Sequence, residues 1–133
     1  MKIVLDTNVL IAAFLTHGIC AELVEHCIRH HQPTISPFIL KEFSRILREK
    51  FEFPKTEIVE AEKLLLSRMI SVNPLPLKEP ACRDSDDDWV LSTAVSGECH
   101  CIITGDKDLL TLKRYQGIDI LSPRDFWKYE NVI

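Results

Sequence analysis

The sequence predicts an α/β fold, a three-layer α/β/α sandwich with a parallel central sheet of four to five strands. Short β-branched runs alternate with helical segments along nearly the whole chain, which is typical of a parallel sheet with helices on both faces. The chain has 133 residues and is 46% hydrophobic, enough to bury one core. It contains no internal repeats, low-complexity tracts or long linkers. We therefore expect residues 1–133 to form a single domain.

The individual elements follow from hydrophobic periodicity and from breaker residues. Strands are predicted at residues 2–5, 33–36, 70–73, 101–104 and 118–121. Helices are predicted at residues 18–31, 38–50, 55–69 and 86–96, with a buried helix starting within 9–15 and a helical turn at 106–112. Pro54 prevents the helix at 38–50 from continuing. Residues 126–133 are expected to form a short terminal extension.

The charge balance is acidic, because 16 Lys and Arg against 20 Asp and Glu give a net charge of −4 and a pI near 5.7. This excludes a generic cationic nucleic-acid coat, so any contact with phosphate has to be local or mediated by a metal ion. The longest apolar run, residues 9–15, is far shorter than the ~20 residues needed to cross a bilayer. Asp6 interrupts the apolar N-terminus, which argues against a signal peptide. We expect a cytoplasmic protein without membrane contact.

Cysteines and histidines raise the question of a zinc site. The five cysteines form an odd set without a CxxC pair, and in the cytoplasm we expect them to be reduced core thiols. His26 and His30 are four residues apart with Cys27 between them, and a Cys-His-Cys run stands at 99–101. Structural zinc sites need two spaced ligand pairs, and the apolar stripe of the helix at 18–31 turns both histidines toward its wetter side. The sequence therefore favours no zinc site.

Two acidic residues directly follow predicted strands. Asp6 ends the run Ile-Val-Leu-Asp, and Asp106 ends the run Ile-Ile-Thr-Gly-Asp. In open parallel sheets the functional crevice lies beyond the carboxyl ends of the strands. If the two strands are neighbours, Asp6 and Asp106 face one another at that edge. The alternative is that each residue caps the helix that follows it, which is a common role for Asp.

Further acids belong to predicted helices. Glu42 falls at the edge of the apolar stripe of the helix at 38–50, where an acid costs free energy unless a cation or donor meets it. Four acids within residues 84–88 open the helix at 86–96, more than the helix dipole requires, with Ser85 as the expected N-cap. Asp87 is predicted to lie on the buried face of that helix, and Asp88 is the next candidate.

Four of these acids point to one metal site: Asp6, Glu42, Asp87 and Asp106. Carboxylates gathered in one crevice cannot all ionise without compensation, and the hard cations Mg²⁺ and Mn²⁺ supply it with oxygen ligands. An acid-lined, sulfur-free site suits hydrolysis of a phosphodiester by metal-activated water. The chain has no Walker loop, GxGxxG, GxSxG or HExxH motif. A phosphatase-like Asp-x-Asp mechanism loses its general acid, because its third position is Asn8.

Four stretches of the chain together form a recognisable pattern: residues 3–10, Ser36-Pro37 leading to Glu42, residues 83–88 and residues 104–110. The pattern runs nearly end to end and resembles the PIN-domain (PilT N-terminus) family, specifically its toxin branch similar to VapC-type ribonucleases. The resemblance implies a sandwich of helices around a parallel sheet and Mg²⁺- or Mn²⁺-dependent cleavage of RNA. It also implies frequent homodimers and neutralisation by a cognate antitoxin protein.

Position by position, the resemblance assigns roles to the acids. The catalytic quartet is matched by Asp6, Glu42, Asp87 and Asp106. Three of these are implied as metal ligands: Asp6, Asp87 and Asp106. Three polar residues match positions that support the acids: Thr7, Asn8 and Thr104.

Asp88 departs from the pattern, because the branch often has Asn there, and this leaves open whether Asp87 or Asp88 is the third acid. Asp87 is favoured because the branch keeps an acid at that position, and a spare carboxylate at Asp88 would support the metal. Two further acids, Asp84 and Asp108, also match the pattern. Asp84 is interpreted as a helix cap and Asp108 as an acid at a helix start. Three basic residues near the crevice are expected to receive the phosphate backbone of RNA: Arg45, Arg83 and Lys107.

The favoured hypothesis is an Mg²⁺-dependent endoribonuclease that acts as a growth-inhibiting toxin. In this hypothesis Asp6 and Asp106 hold the metal, Asp87 completes its shell, and a fourth acid, Glu42, orients or deprotonates the attacking water. One alternative is a non-catalytic module that binds RNA or a protein, and another is a housekeeping RNA-processing nuclease. The apolar residues at 64–66, 69 and 70 are more than one buried stripe of a helix requires. They suit either a homodimer face or core packing.

Overall fold

The computed structural model describes residues 1–132, in which it shows six strands and seven helices. The strands are β1 (Lys2–Leu5), β2 (Gln32–Ile35), β3 (Ile70–Ser71), β4 (Cys101–Ile103), β5 (Arg114–Tyr115) and β6 (Ile118–Leu121). The helices are α1 (Thr7–Leu15), α2 (Ile19–His30), α3 (Pro37–Glu49), α4 (Lys55–Arg68), α5 (Ser85–Ser96), α6 (Lys107–Leu112) and α7 (Pro123–Val132).

The strands form one sheet in the order β3-β2-β1-β4-β6-β5. All pairings are parallel except β5 with β6, so the predicted parallel sheet is confirmed. The sheet has six strands where four to five were predicted. The extra strand is β5, whose two residues pair with β6 through a tight hairpin at Gln116 (φ 48) and Gly117 (φ 80). Two residues are too few to show the alternation from which a strand is predicted.

Helices cover both faces of the sheet, as the three-layer prediction requires. Right-handed crossovers place α1 to α4 on one face and α5 and α6 on the other. Helix α5 packs on β1, β2 and β4, and α7 contacts α2 and β6. The apolar residues of the inner strands β1 and β4 are nearly inaccessible to solvent. A strand that is covered on both faces has such a continuous apolar sequence.

Several predicted boundaries differ from the structure for reasons of capping. Helix α1 begins at Thr7, because the Asp6 side chain caps it. Helix α5 begins at Ser85 and its N-cap is Asp84, which accepts a hydrogen bond from the backbone N of Asp86. The prediction of Ser85 as N-cap was therefore wrong, whereas the interpretation of Asp84 as a cap is confirmed.

The C-terminal segment is a helix rather than the short extension that was predicted. Helix α7 begins at Pro123, and its Phe126 side chain is fully buried in the core. Its Tyr129 hydroxyl donates a hydrogen bond to Asp119 Oδ2 at 2.8 Å. The last residue of the predicted extension, Ile133, lies outside the described residues.

The cysteines are all free thiols. Three of them are buried, as core thiols are expected to be: Cys27, Cys99 and Cys101. Burial raises the pKa of Cys27 to about 12. As for membranes, no single helix within residues 1–132 is long and apolar enough to span one, and α1 and α2 meet that test only as a pair bent by 109°.

Candidate active site

The acids that follow β1 and β4 meet at one edge of the sheet. The two strands are parallel neighbours, with Leu5 opposite Ile103. The backbone N of Asp6 donates to the carbonyl of Ile103 at 3.0 Å, which continues the ladder one residue beyond β1. Both strands end at this point, so Asp6 and Asp106, which follow them, lie at the same carboxyl edge of the sheet. This agrees with the prediction that the two strands are neighbours.

Asp6 is buried, with 7% of its surface exposed, and both of its carboxylate oxygens are hydrogen-bonded. Oδ1 accepts from the backbone N of Thr7 at 2.8 Å, and Oδ2 accepts from the hydroxyl of Thr104 at 2.6 Å. Burial raises the pKa of Asp6, the two hydrogen bonds oppose that change, and the charge of Asp106 adds to it. Asp6 is thus a fixed carboxylate whose ionisation a nearby cation would favour.

Asp106 caps helix α6. Its Oδ1 accepts hydrogen bonds from the backbone N of Asp108 at 2.8 Å and of Leu109 at 3.2 Å. Its own backbone N donates to the Thr104 hydroxyl at 3.0 Å, and that same hydroxyl donates to Asp6. Thr104 therefore connects the two acids. Asp6 and Asp106 each cap the following helix and also lie at the site. The two roles, which were alternatives in the sequence, are therefore combined.

Asp87 enters the same region from the first turn of α5 and is 9% exposed. Carboxylate oxygens of Asp87, Asp106 and Asp108 all lie within 4.8 Å of one another. Burial first, and then the negative charges of Asp106, Asp84, Asp6 and Asp108, together raise the pKa of Asp87 to about 6. We name the residues Asp6, Asp87, Asp106 and Asp108 the acid cluster.

Asp108 is the member of the acid cluster that the sequence analysis did not place in the site. It was interpreted as an acid at a helix start, and it does lie in the first turn of α6. The two-residue spacing from Asp106 was the available signal, but the helix dipole explains such an acid equally well. Its side chain also forms an ion pair with Arg83, at 2.9 Å.

Glu42 stands apart from the acid cluster in its contacts. On α3 it receives two hydrogen bonds from the Arg45 guanidinium, at 3.0 and 2.9 Å. These bonds and the charge of Arg45 outweigh partial burial and lower the pKa of Glu42. Its charge acts on Asp86, whose pKa is raised first by burial, then by Asp84, then by Glu42. Glu42 is therefore ionised, held by Arg45, and placed near the start of α5.

The predicted supporting residues differ in what they contact. Asp88 Oδ1 accepts from the backbone N of Ala81 at 3.1 Å and of Cys82 at 2.9 Å, so its carboxylate orders the loop before α5. Asp87, in contrast, faces the other acids. Thr7 is buried beside Asp6, and Asn8 is exposed.

The basic residues expected near the site differ in their contacts, and of the three, all within the described residues, only Arg83 forms an ion pair with a member of the acid cluster. Arg45 is paired with Glu42 and with Glu49, both at 2.9 Å. Arg83 is largely exposed and paired with Asp108, and Lys107 is exposed at the first position of α6. An exposed pair of this kind exchanges readily for a phosphate.

Comparison with known proteins places the chain in a family. The sequence profile of the PIN domain matches residues 2–108. The chain belongs to the PIN-domain family. The resemblance seen in the sequence is confirmed, and the matched stretch contains every residue of the acid cluster. An uncharacterized protein of Methanocaldococcus jannaschii is 32% identical over 120 residues, which covers 85% of this chain and 76% of that protein.

Solved structures with the same fold are VapC-containing proteins. One is VapBC2 of Rickettsia felis bound to a DNA fragment from its promoter, with a TM-score of 0.65, 16% identity and coverage of 92% of this chain and 98% of that one. Another is VapBC-1 of nontypeable Haemophilus influenzae, with a TM-score of 0.64, 18% identity and coverage of 93% and 99%. A third is VapC20 of Mycobacterium tuberculosis, a toxin that cleaves the sarcin–ricin loop, with a TM-score of 0.62, 11% identity and coverage of 88% and 98%.

Proposed function

We propose that this protein is an Mg²⁺- or Mn²⁺-dependent endoribonuclease and the toxin component of a toxin–antitoxin system. The observation that carries the proposal is the acid cluster at the carboxyl edge of β1 and β4. Membership of the PIN-domain family supports nuclease chemistry. The VapC fold of the structural neighbours, one of which is named as a toxin that cleaves the sarcin–ricin loop, supports the choice of substrate and role.

The acid cluster fits a hard divalent cation. Its donors are carboxylate oxygens, which Mg²⁺ and Mn²⁺ prefer, and neighbouring acids help to raise the pKa of Asp87 and of Asp6, so that a cation would relieve this repulsion. Asp6, Asp87 and Asp106 would hold the ion, and Asp108 is close enough to join them. Such an ion, when bound, lowers the pKa of a water molecule and neutralises charge on the phosphoryl oxygens.

The residues around the acid cluster perform the remaining tasks in this proposal. Thr104 and Thr7 fix the orientation of the Asp6 carboxylate by their hydrogen bonds. Glu42 is a weak base because its pKa is lowered, and this favours a role in orienting the attacking water over a role in removing its proton. Arg83, which pairs with Asp108, Lys107, which follows Asp106, and Arg45, which pairs with Glu42, would receive the polyanionic backbone, which needs local positive charge on an otherwise acidic protein.

The partner proposed for the toxin is a cognate antitoxin protein. An apolar groove of about 470 Å³ between α1, α2 and α4 is lined by residues that include Phe14, Val24, Ile28 and Leu65. Phe14 and Leu64 expose 39% and 52% of their surface. A groove of this kind suits an amphipathic segment of a partner protein, and the cytoplasm is where such a partner and RNA would be met. A homodimer through the same face is the competing occupant.

Cleavage of an RNA panel by the purified protein tests the proposed chemistry. We expect Mg²⁺- or Mn²⁺-dependent cleavage that EDTA stops and that Asp6→Asn lowers by about a hundredfold or more, because the metal loses a fixed ligand. The matched control is Asp125→Asn, an exposed acid at the start of α7, which should leave cleavage unchanged. Full metal-dependent activity in Asp6→Asn would refute the assignment.

Expression in a bacterial host separates toxin from the two other functions. A toxin arrests growth, and Asp6→Asn relieves the arrest. A housekeeping nuclease cleaves RNA in vitro without arresting growth. A non-catalytic binding module does neither, and its RNA or protein binding survives Asp6→Asn.

A further inference from the structure

A second group of side chains that can bind a metal lies at the amino ends of the parallel strands, opposite the acid cluster. His31 directly precedes β2, at the amino end of the strands, whereas Asp6 and Asp106 follow the carboxyl ends of β1 and β4. His26 lies on α2 and Glu130 on α7. Glu130 is outside the stretch that matches the PIN domain, residues 2–108. The group is therefore separate from the acid cluster, and one of its three members lies outside the matched stretch.

The three side chains converge on one point. Nε2 of His26 is 2.6 Å and Nε2 of His31 is 2.5 Å from the same oxygen, Oε2 of Glu130. The donors come from positions about a hundred residues apart in the chain, so the fold itself assembles them. All three residues are partly buried, with 26%, 11% and 22% of their side-chain surface exposed. Such a site is accessible to an ion and is built from fixed elements.

We propose that His26, His31 and Glu130 bind a divalent transition-metal ion of the Zn²⁺ type. Two imidazoles and one carboxylate are the donor set of three-ligand zinc sites, in which water takes the fourth position. Metal–ligand bonds of about 2.0–2.2 Å in a tetrahedral site would separate these donors by about 3.3 Å, so each has to retreat by less than about 1 Å. The flexible Glu130 side chain allows that movement.

The surroundings of the group suit ligand histidines. Nδ1 of His31 is 3.1 Å from the N-terminal ammonium of Met1 and accepts a hydrogen bond from it. Metal binding through Nε2 would place the ring proton on Nδ1, so the Met1 amino group would have to release a proton and become the acceptor. The ring of Trp127 lies 4.7 Å from the ring of His26 and that of Phe126 lies 5.8 Å from His31, which restricts rotation of both. A bound ion would join α7 to α2 and to the start of β2, and so tie the C-terminal helix to the domain.

The proposed site uses different partners from those for which the sequence favoured no zinc site. The sequence pairs His26 with His30 and Cys27 by their spacing along one helix. In the structure His31 replaces His30, the thiol of Cys27 is buried, and the third donor comes from α7. The His30 ring, 4.8 Å from His26, is outside the group and provides a matched control.

The experiment measures Zn²⁺ binding to the full chain in the Asp106→Asn background, which removes a member of the acid cluster as a competing site. His26→Gln and His31→Gln keep an amide that can donate to Glu130 while they remove the imidazole ligand. We expect Zn²⁺ affinity, measured by calorimetry, to fall at least about tenfold in each variant and to stay unchanged in His30→Gln. Zn²⁺ should raise the melting temperature only where both histidines are present.

Two outcomes would overturn the proposal. One is equal Zn²⁺ affinity in His26→Gln, His31→Gln and His30→Gln, which would make the group a hydrogen-bonded latch alone. The other comes from NMR of the imidazole nitrogens in the unsubstituted chain, which remains decisive if a variant does not fold. Zn²⁺ should shift Nε2 of His26 and of His31 and leave His30 and His100 unchanged; the reverse pattern contradicts the site. Failure here leaves RNA cleavage by the acid cluster untouched.

Discussion

Thr104 connects the acids that end β1 and β4. Its hydroxyl donates to Asp6 Oδ2 and accepts from the backbone N of Asp106, and the residue is fully buried. Thr104→Val keeps the shape and removes both hydrogen bonds. We expect a loss of about 1–3 kcal/mol in the free energy of unfolding, because Asp6 stays buried with one oxygen unpaired. We also expect Mg²⁺ affinity to fall about tenfold, since the ligand is no longer oriented.

Thr34 provides the matched control for this substitution. It is a buried threonine of β2 whose hydroxyl oxygen has no hydrogen-bond partner among the described residues. Thr34→Val should leave Mg²⁺ affinity within error of the parent chain, and it should not lower the free energy of unfolding, because it removes a buried hydroxyl that has no partner among the described residues. Chemical denaturation and calorimetry measure the two quantities. Equal effects of the two substitutions on unfolding and on Mg²⁺ affinity would mean that the hydrogen bonds of Thr104 to Asp6 and Asp106 have no special role.

Asp87 should make the metal-free protein sensitive to pH. Its pKa in the fold is raised from 3.8 to about 6, so the folded state holds the proton more tightly than the unfolded chain does. This contribution to stability is complete below pH 3.8 and is lost as the pH rises through about 6. We expect the stability difference between the parent and Asp87→Asn to shift by on the order of 2 kcal/mol across that window.

Denaturation in EDTA at a series of pH values checks this prediction. A parallel pH profile for the parent and Asp87→Asn would show that Asp87 titrates normally. With Mg²⁺ present we expect the opposite trend, since the cation needs the ionised carboxylate and binds more tightly as the pH rises. The two profiles together separate repulsion within the acid cluster from binding of the ion.

At the scale of single residues, position after a strand was the strongest signal in the sequence. It identified Asp6 and Asp106, because strand ends in a parallel sheet share an edge. Helical periodicity identified Asp87. Neither signal separates Asp108 from an ordinary first-turn acid, since only the approach of α5 brings Asp87 within reach of it. The Glu42–Arg45 pair was readable from its spacing of three residues, but its distance from the other acids was not.

Among the elements, α7 shows how a terminal helix can be part of the core. Phe126 is fully buried, and its helix contacts α2 and β6. Phe126→Ala should lower the free energy of unfolding by about 3–5 kcal/mol, because it leaves a cavity that the sheet cannot close. Val132→Ala, at an 83% exposed position of the same helix, should change it by no more than about 0.5 kcal/mol. Urea denaturation measures both, and a small effect of Phe126→Ala would contradict the role of α7.

Elements with clear periodicity were predictable, and elements defined by tertiary contacts were not. The sequence located the parallel strands and the helices of the first half to within a few residues. It missed β5, which exists only because a hairpin returns the chain to β6, and it missed α7, whose ten residues mix aromatic and charged side chains. A segment of that composition can be predicted as a helix only when the surface against which Phe126 packs is known.

At the scale of the whole molecule, the protein carries a net negative charge, and the acid cluster concentrates four negative side chains in one place. The net charge is −4, and four acids of the cluster repel one another at the carboxyl edge. A cation bound to the folded state alone should therefore stabilise the protein, by about 2.7 kcal/mol at a hundred times its dissociation constant. We expect Mg²⁺ to raise the melting temperature of the parent and to have little effect on Asp106→Asn. Equal melting temperatures of the parent with Mg²⁺ and with EDTA would argue against a cation at the cluster.

The strand order has a consequence for how the protein is made. Asp6 follows β1, and the hydroxyl that orients it, on Thr104, is 98 positions later in the chain. No shorter nascent chain contains the complete set of acids, because β4 has to be synthesised before it can insert beside β1. Under the proposed function, this order means that a growing chain cannot cut its own messenger before β4 and the acids that follow it have been synthesised.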